Sequence, residues 1–357
     1  DHRDLHSFPT RRSSDLHIVD MRIGIDCRAL THRPTGISKY LADAIIAIHE
    51  FIPEWELWMF IPEEFHLETL ELEGEGLRKI ICPLPTLNKH LLWYNTEFVR
   101  QCCKHQVDVM WTPFPERPVY APSHIRQLVT VHDVVALEYH ATRSDHNKFL
   151  GTRNFKQSIM KADLLWCTSN YTHQKIDEYF SNRKQKDVVV GESCSELFRF
   201  EEISSQECKA IKSRFGIADR FLLFVGTLEP RKNLTFLLNV MKEIHQTLPK
   251  LKLLVVGGKG WKSSNIRETY EAPDFPQESV IFADYIDIQM LKKLYCIADC
   301  FVSASLNEGF GIPQLEAMRC GCPVVTSHNS AMIEVVEGRG TTVKGYNVKD
   351  WCNAVRN

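Results

Sequence analysis

The stretch Ser303-Ala304-Ser305-Leu306-Asn307-Glu308-Gly309-Phe310-Gly311-Ile312-Pro313-Gln314-Leu315-Glu316-Ala317-Met318 decides how the chain is read. An apolar strand, Cys300–Ser303, runs into a Gly-rich loop. Pro313 then stands in the first turn of the following helix, where its missing N–H has no intrahelical partner to lose. Such a strand-to-helix junction exposes backbone N–H groups and the positive helix end, a ready site for a diphosphate. Glu308 lies just before the turn and Glu316 one turn into the helix, so the two carboxylates can address one ligand from different directions. A carboxylate at a helix start is also a good acceptor for two vicinal hydroxyls. On the residues alone a second reading stands beside this one: both glutamates only complement the helix dipole, an interaction of about 0.3–1 kcal/mol each.

Working outward, the chain alternates short apolar strands with helices, twice over. The first series has strands at Met21–Asp26, Glu56–Ile61, Lys79–Cys82, Asp108–Trp111, Gln127–Val131, Leu164–Thr168 and Asp187–Val190. Helical periodicity falls at Ser38–His49, Asn88–His105, Asn147–Lys161 and Tyr171–Phe180. A polar connector with one charged helix, Ser205–Phe215, interrupts the pattern between Glu192 and Arg220. The alternation then restarts with strands at Phe221–Val225, Lys252–Val256, Ser279–Phe282, Cys300–Ser303 and Pro323–Thr326, and helices at Asn233–Thr247, Ile288–Ile297 and Pro313–Arg319. The strands are continuous apolar runs, as in a parallel sheet covered on both faces. The expected architecture is α/β: two Rossmann-like βαβ lobes facing across a cleft, residues 21–200 and 201–357. Residues 1–20 are set aside as a leader. Asp1–Leu16 lacks apolar periodicity and a signal-peptide core, and resembles the translation of a sequencing-adapter oligonucleotide, which makes Met21 the expected native start. The chain ends at Asn357 inside a helix starting near Val348, so a further C-terminal piece is expected.

Composition narrows the function classes. The 357 residues are 44% apolar and 25% charged, in proportion for a soluble globular protein of two domains. A net charge of −2 gives no electrostatic case for nucleic acid or an anionic membrane as the main partner. No apolar run approaches the roughly 18–20 residues of a membrane span. The 12 cysteines lack zinc-finger spacing and are read as reduced thiols of a cytoplasmic protein. No Asp-x-Asp pair is present to hold a metal-bound diphosphate, and no metal or cofactor is expected.

The residues resemble the retaining, group 1 (family 4) glycosyltransferases of the GT-B fold. Their block of two glutamates separated by seven residues is matched from Glu308-Gly309-Phe310-Gly311-Ile312-Pro313 through Leu315-Glu316-Ala317-Met318 to Gly321-Cys322-Pro323-Val324-Val325. Phe224-Val225-Gly226-Thr227-Leu228-Glu229-Pro230-Arg231-Lys232-Asn233 is similar to the family's donor-phosphate turn. Leu294-Tyr295, Ala298-Asp299 and Phe301-Val302 match its lead-in. The resemblance is dense over roughly 110 residues and thinner back to Met21.

The resemblance implies a role for each matching residue. Glu316 would hold the ribose hydroxyls of the nucleotide and Glu308 the hydroxyls of the donor sugar. The amides of Gly309, Phe310 and Gly311 would hold diphosphate or sugar. Lys232 would neutralise the leaving group where negative charge grows. Many relatives carry an arginine where this chain has Thr227, and Arg231 is the nearby residue to share that role; its alternative is a solvated cation beside a helix start. His132 ends the run Leu128–Val131 at the C-terminal edge of a strand, where doubly wound folds place ligands. The matching family histidine touches the donor sugar near the reacting centre. Asp133 either orients His132 or caps the next segment. Gly36, in Gly36-Ile37-Ser38, would approach phosphate or acceptor, or is a plain helix-start glycine.

The implied function is transfer of a hexose from a nucleotide-sugar donor to a saccharide or lipid-linked saccharide acceptor, with retention and without metal. The Gly-Thr-Leu-Glu-Pro-Arg-Lys-Asn variant most resembles bacterial polysaccharide mannosyltransferases, which puts GDP-mannose first and UDP-glucose or another UDP-hexose second. The alternatives are a non-catalytic nucleotide-sugar binder or a nucleotide-sugar epimerase of the same fold. A nicotinamide enzyme fits less well, because Val255-Val256-Gly257-Gly258-Lys259-Gly260 does not spell Gly-x-Gly-x-x-Gly. Asn88-Lys89-His90-Leu91-Leu92-Trp93-Tyr94 has a basic-aromatic character that would suit peripheral membrane contact, the alternative being an amphipathic core helix.

Overall fold

The computed structural model describes residues 21–30, 36–62, 75–83, 89–138, 145–258, 264–284 and 286–357. Two parallel sheets organise it. The first contains β1 (Arg22–Asp26), β2 (Glu56–Ile61), β3 (Leu77–Ile81), β4 (Val109–Thr112), β5 (Arg126–Val131), β6 (Leu164–Cys167) and β7 (Lys186–Val189), in the order β3-β2-β1-β4-β5-β6-β7. The second contains β8 (Phe221–Val225), β9 (Lys252–Val256), β10 (Val280–Ala283), β11 (Cys300–Ser303), β12 (Val324–Ser327) and β13 (Thr341–Val343), in the order β10-β9-β8-β11-β12-β13. Both are the doubly wound arrangement expected from the alternation, with the strand order reversing beside β1 and beside β8.

The apolar strands of the second sheet are explained by what lies on each face. Side chains alternate sides along a strand. Leu222, Phe224, Leu253, Val255 and Val302 enter one core with Leu234, Leu237, Leu238, Met241 and Ile244 of the helix Leu234–His245. Phe221, Leu223, Leu254, Val256 and Phe301 enter the other, with Leu294 and Tyr295 of the helix Ile288–Ile297 and Ala317 of the helix Ile312–Arg319. Over β8, β9, β11 and β12 both faces are covered, so neither needs polar residues there, while the edge strands are partly open: Phe282 of β10 and Thr341 of β13 are exposed.

Several expectations are corrected. The predicted helix Asn88–His105 is two helices, Lys89–Asn95 and Glu97–Lys104. Between them Thr96 leaves helical geometry (φ −120°, ψ −72°), and its Oγ1 donates to the Leu92 carbonyl at 2.6 Å. Back-bonding by a threonine hydroxyl bends helices in this way. The helices Ser264–Tyr270 and Met332–Val336 and the strand β13 were not predicted; the last two are too short to show a period. In the proposed membrane-facing segment Trp93 and Tyr94 are core residues, and Trp93 Nε1 donates to the Cys82 carbonyl at 3.0 Å. Asn88 and residues 1–20 lie outside the described residues. All twelve cysteines are free thiols, most of them buried. Among the described residues no helix is long and apolar enough to cross a membrane.

The sheets change over between Val189 and Phe221. By backbone proximity, however, the compact units divide elsewhere: Val131–Lys161 and Leu165–Asn357 form one, and the chain up to Thr130 with Ala162–Leu164 forms the other. Side chains account for the way Asn170–Tyr179 joins the later unit. Glu334 accepts from the amides of Asn170 (3.1 Å) and Tyr171 (3.0 Å), and Asn307 Nδ2 donates to Glu138 (2.6 Å) and to the Tyr171 hydroxyl (2.9 Å).

Candidate active site

The site is built where the second sheet reverses its strand order. β8 and β11 are parallel neighbours, with Cys300 opposite Leu222 and Phe301 opposite Leu223, so the loops leaving their C-terminal ends emerge side by side. After β8 the chain turns at Gly226, which is pressed against the loop after β9: a Cβ on Gly257 would stand 2.0 Å from the Gly226 carbonyl oxygen. Gly226 N and Leu228 N donate to the carbonyls of Val256 (3.0 Å) and Gly258 (3.2 Å). Gly257 and Gly258 therefore brace the neighbouring turn. Lys259 and Gly260 lie outside the described residues. A 3₁₀ turn, Pro230–Lys232, closes at Asn233 in left-handed geometry and delivers two cations together.

Both cations converge on Glu308. Lys232 Nζ donates to Glu308 Oε1 at 2.6 Å, and Arg231 Nη1 donates to Oε2 at 2.6 Å. Arg231 is further tied to the Asn307 carbonyl (2.7 Å) and to Glu229 Oε1 (2.7 Å), while its own carbonyl accepts from Leu306 N at 2.8 Å. Arg231 is thus a part-buried member of the network rather than a solvated cation. Glu308 is 7% exposed. Burial alone would push its carboxyl up, but the charges of Lys232 and Arg231 prevail and hold it at about 2. Burial opposes the Arg231 charge, whereas Glu308, Glu229 and Asp133 raise its pKa above the ordinary value. Lys232 and Arg231 with Glu308 and Glu229 leave the cluster near neutral overall, both cations being delivered by the Pro230–Lys232 turn.

Glu308 is also held through its backbone. Ser330, in left-handed geometry (φ 48°), accepts from Glu308 N through Oγ at 3.0 Å. Gly309 follows, and its conformation leaves no room for a side chain: a Cβ there would lie 1.8 Å from the His132 carbonyl oxygen. The Phe310 ring lies against Gly191 and joins the core behind the sheet. Gly311, at φ 113°, caps the helix Ile312–Arg319, whose first-turn amides have no intrahelical partner. Glu316, in the second turn of that helix, is 3% exposed and accepts from the Tyr295 hydroxyl at 3.0 Å.

His132 closes the cluster. It follows the end of β5, and its carbonyl accepts from the hydroxyls of Thr168 (3.0 Å) and Thr172 (3.2 Å) in addition to facing Gly309. Its ring Nδ1 meets Glu192 Oε1 at 2.7 Å. Asp133 Oδ1 accepts from Val135 N at 3.0 Å, so it caps the short helix Val135–Glu138, the second of its two expected roles. His132, Arg231, Lys232, Glu308, Gly309, Phe310, Gly311 and Glu316 are therefore all in one compact unit. Gly36 is not among them. It opens the helix Gly36–Phe51 of the other unit, exposed, with nothing within 4 Å of a Cβ placed on it.

Glu192, Ser330 and the Tyr295 hydroxyl were not anticipated as parts of the site. Glu192 stands just past the strand run Asp187–Val190, a strand-end position like that of His132. Ser330 carried no signal, since only its backbone geometry brings it to Glu308. Away from the site, His173, Asp177 and Asp187 hold ligand atoms within 4.8 Å of one another. The guanidinium of Arg183 donates to both carboxylates and is the counter-charge there.

Residues 209–357 match the family model described as glycosyl transferases group 1. The chain is similar to the serotype-specific mannosyltransferase WbdA of Escherichia coli, 26% identical over 230 residues, 61% of this chain and 27% of the relative. It is similar to O-antigen chain mannosyltransferase B of Escherichia coli, 29% identical over 227 residues, 62% of this chain and 58% of the relative. The chain thus spans less than two thirds of either relative. The structure of Anabaena Alr3699/HepE in complex with UDP and glucose matches with a TM-score of 0.68 and 16% identity, over 94% of this chain and 89% of that one. At that identity the likeness is one of fold, GT-B.

Proposed function

Starting from a GT-B chain whose residues 209–357 are a glycosyl transferases group 1 domain, we propose that it transfers a hexose from a nucleotide-sugar donor to a saccharide or lipid-linked saccharide acceptor. The observation that carries this reading is the convergence of Lys232 and Arg231 on Glu308, beside a glycine loop and a helix start. That arrangement suits a ligand with both an anionic and a polyhydroxyl part. Glu308 takes sugar hydroxyls and Glu316 the ribose. The Gly309–Gly311 amides and the helix end take the diphosphate. Lys232, joined by Arg231, neutralises the charge that develops on the leaving phosphate, the task a divalent metal performs elsewhere. No metal is required in this reading. Mannose is the favoured hexose and GDP-mannose the favoured donor, in keeping with the two mannosyltransferase relatives; a UDP-hexose is second. We place the reaction on the cytoplasmic side, in bacterial polysaccharide assembly.

Transfer proceeds with retention, following the family resemblance. The bond from the anomeric carbon to the diphosphate oxygen breaks, leaving a short-lived oxocarbenium-like sugar. The acceptor oxygen bonds to the same face and its proton passes to the departing phosphate oxygen. His132, at the edge of the reacting centre, hydrogen-bonds the donor sugar.

The test is turnover followed by proton NMR, with GDP-mannose or UDP-glucose as donor, in the presence and absence of EDTA. The expected result is nucleotide release that EDTA leaves unchanged, with the newly released or transferred sugar in the donor's own anomeric configuration. Inversion, or a changed sugar without nucleotide release, would contradict the reading; the latter is what an epimerase would give.

A further inference from the structure

Glu192 is a carboxylate with no place in the proposed chemistry, yet it is nearly buried. Its side chain is 7% exposed and that of its partner His132 is 13% exposed, with Oε1 and Nδ1 2.7 Å apart. A carboxylate withdrawn from water is retained only when a donor meets it. The group that meets it is His132 Nδ1, which is the donor to an ionised Glu192 when the ring's proton sits on that nitrogen. The tautomer of a histidine is set by the bond its other nitrogen makes. In the tautomer with its proton on Nδ1, Nε2 is the acceptor nitrogen.

The surroundings fix the pair on both sides. The His132 backbone is clamped by the hydroxyls of Thr168 and Thr172 and by the close approach of Gly309. Glu192 is anchored through its own segment: Val190 N donates to the Cys167 carbonyl at 2.8 Å, and Gly191 lies against the Phe310 ring. With the backbone of His132 fixed, the Glu192 carboxylate restrains rotation of the ring about its side-chain bonds. Ring and loop are thereby held in register, since Gly309 and Phe310 belong to the loop that carries Glu308.

We propose that Glu192 is the positioning residue for His132: it holds the proton on Nδ1, sets the plane of the ring, and presents Nε2 as the acceptor for a sugar hydroxyl. This rests on the reading of the site as a nucleotide-sugar site. Glu192 itself touches neither substrate nor phosphate.

The experiment uses the full chain labelled with nitrogen-15 at histidine, and four forms: parent, Glu192→Gln, His132→Ala and the double variant. Long-range nitrogen–proton NMR reads the tautomer without any ligand. The parent should show His132 protonated at Nδ1, and Glu192→Gln should show a mixture or the Nε2-protonated ring. With GDP-mannose and UDP-glucose as probes, Glu192→Gln should lower kcat about tenfold to a hundredfold, the range known for partners that orient metal-bound histidines. The donor KM should stay within about a factor of two of the parent, because binding rests on other residues. Adding Glu192→Gln to His132→Ala should cost nothing further, since Glu192 acts through the ring. Glu192→Asp should recover part of the activity. A parent His132 protonated at Nε2, or a Glu192→Gln loss of equal size in the His132→Ala background, would overturn the proposal. Failure of the wider reading looks different: neither donor would bind the parent, while the tautomer measurement still decides for or against Glu192.

Discussion

At the scale of single residues, Glu308 is the group on which the site turns. A buried carboxylate between two cations is tolerated only as part of that trio, and removing one partner of such a pair costs about 3–5 kcal/mol. Its carboxyl is held at about 2, against 4.5 for an ordinary glutamate. Because the folded-state value lies below the unfolded one, the linked stability is fully present above pH 4.5 and is lost as pH falls from there towards 2. The shift corresponds to about 3 kcal/mol. Glu308→Gln should therefore melt lower than the parent at pH 7, and the gap should close as the pH is lowered through that window; melts recorded from pH 7 to pH 3 check this. A gap that stayed constant with pH would mean that Lys232 and Arg231 do not hold the carboxylate.

The residue types of this cluster were legible in the sequence, because paired glutamates around glycines, a cationic turn and a strand-end histidine each have a recognisable chemistry. Their connections were less so. The sequence points to Gly309 as a phosphate-facing amide, and the structure adds a steric reason for glycine in the approach of the His132 carbonyl. Glu192 and Ser330 could not be paired with His132 and Glu308 from spacing, since 60 and 22 positions separate them and only the fold brings them together.

Among the elements, the strands buried on both faces were the most readable, since β8, β9 and β11 match their apolar runs residue for residue. Helices were readable where one face is apolar over several turns, as in Leu234–His245, and not where a local competitor intervenes. Thr96 splits its helix by bonding back to Leu92, a choice that propensity alone does not reveal. Caps, by contrast, follow local rules. Asp287 accepts from Met290 N at 2.8 Å and opens the helix Ile288–Ile297, which carries Tyr295 to Glu316. Asp287→Ala should lower stability by about 1 kcal/mol, the usual value of such a cap. Urea unfolding measures this, and an unchanged midpoint would show that core packing alone sets the helix start.

For the whole molecule, the sequence predicts two sheets, and two are present among the described residues. What it does not convey is that His132, which ends a strand of the first sheet, shares a compact unit with the loops of the second. That grouping depends on long-range pairs such as Glu334 with Asn170 and Tyr171, and Asn307 with Glu138, none of which has a sequence signature. The net charge of −2 gives no global attraction for the proposed anionic donor, so on that proposal recognition rests on the local cations and amides. A ligand that binds the folded chain at a hundred times its Kd adds about 2.7 kcal/mol to stability, a shift that a melting experiment resolves.

The most direct measurement is therefore a thermal melt of the parent and of Glu316→Ala with GDP-mannose, UDP-glucose, UDP-N-acetylglucosamine and NAD, each with and without EDTA. A sugar nucleotide, GDP-mannose first, is expected to raise the parent's melting temperature whether or not EDTA is present, and Glu316→Ala is expected to lose the effect. Stabilisation by NAD alone, or an equal response from parent and variant, would contradict it.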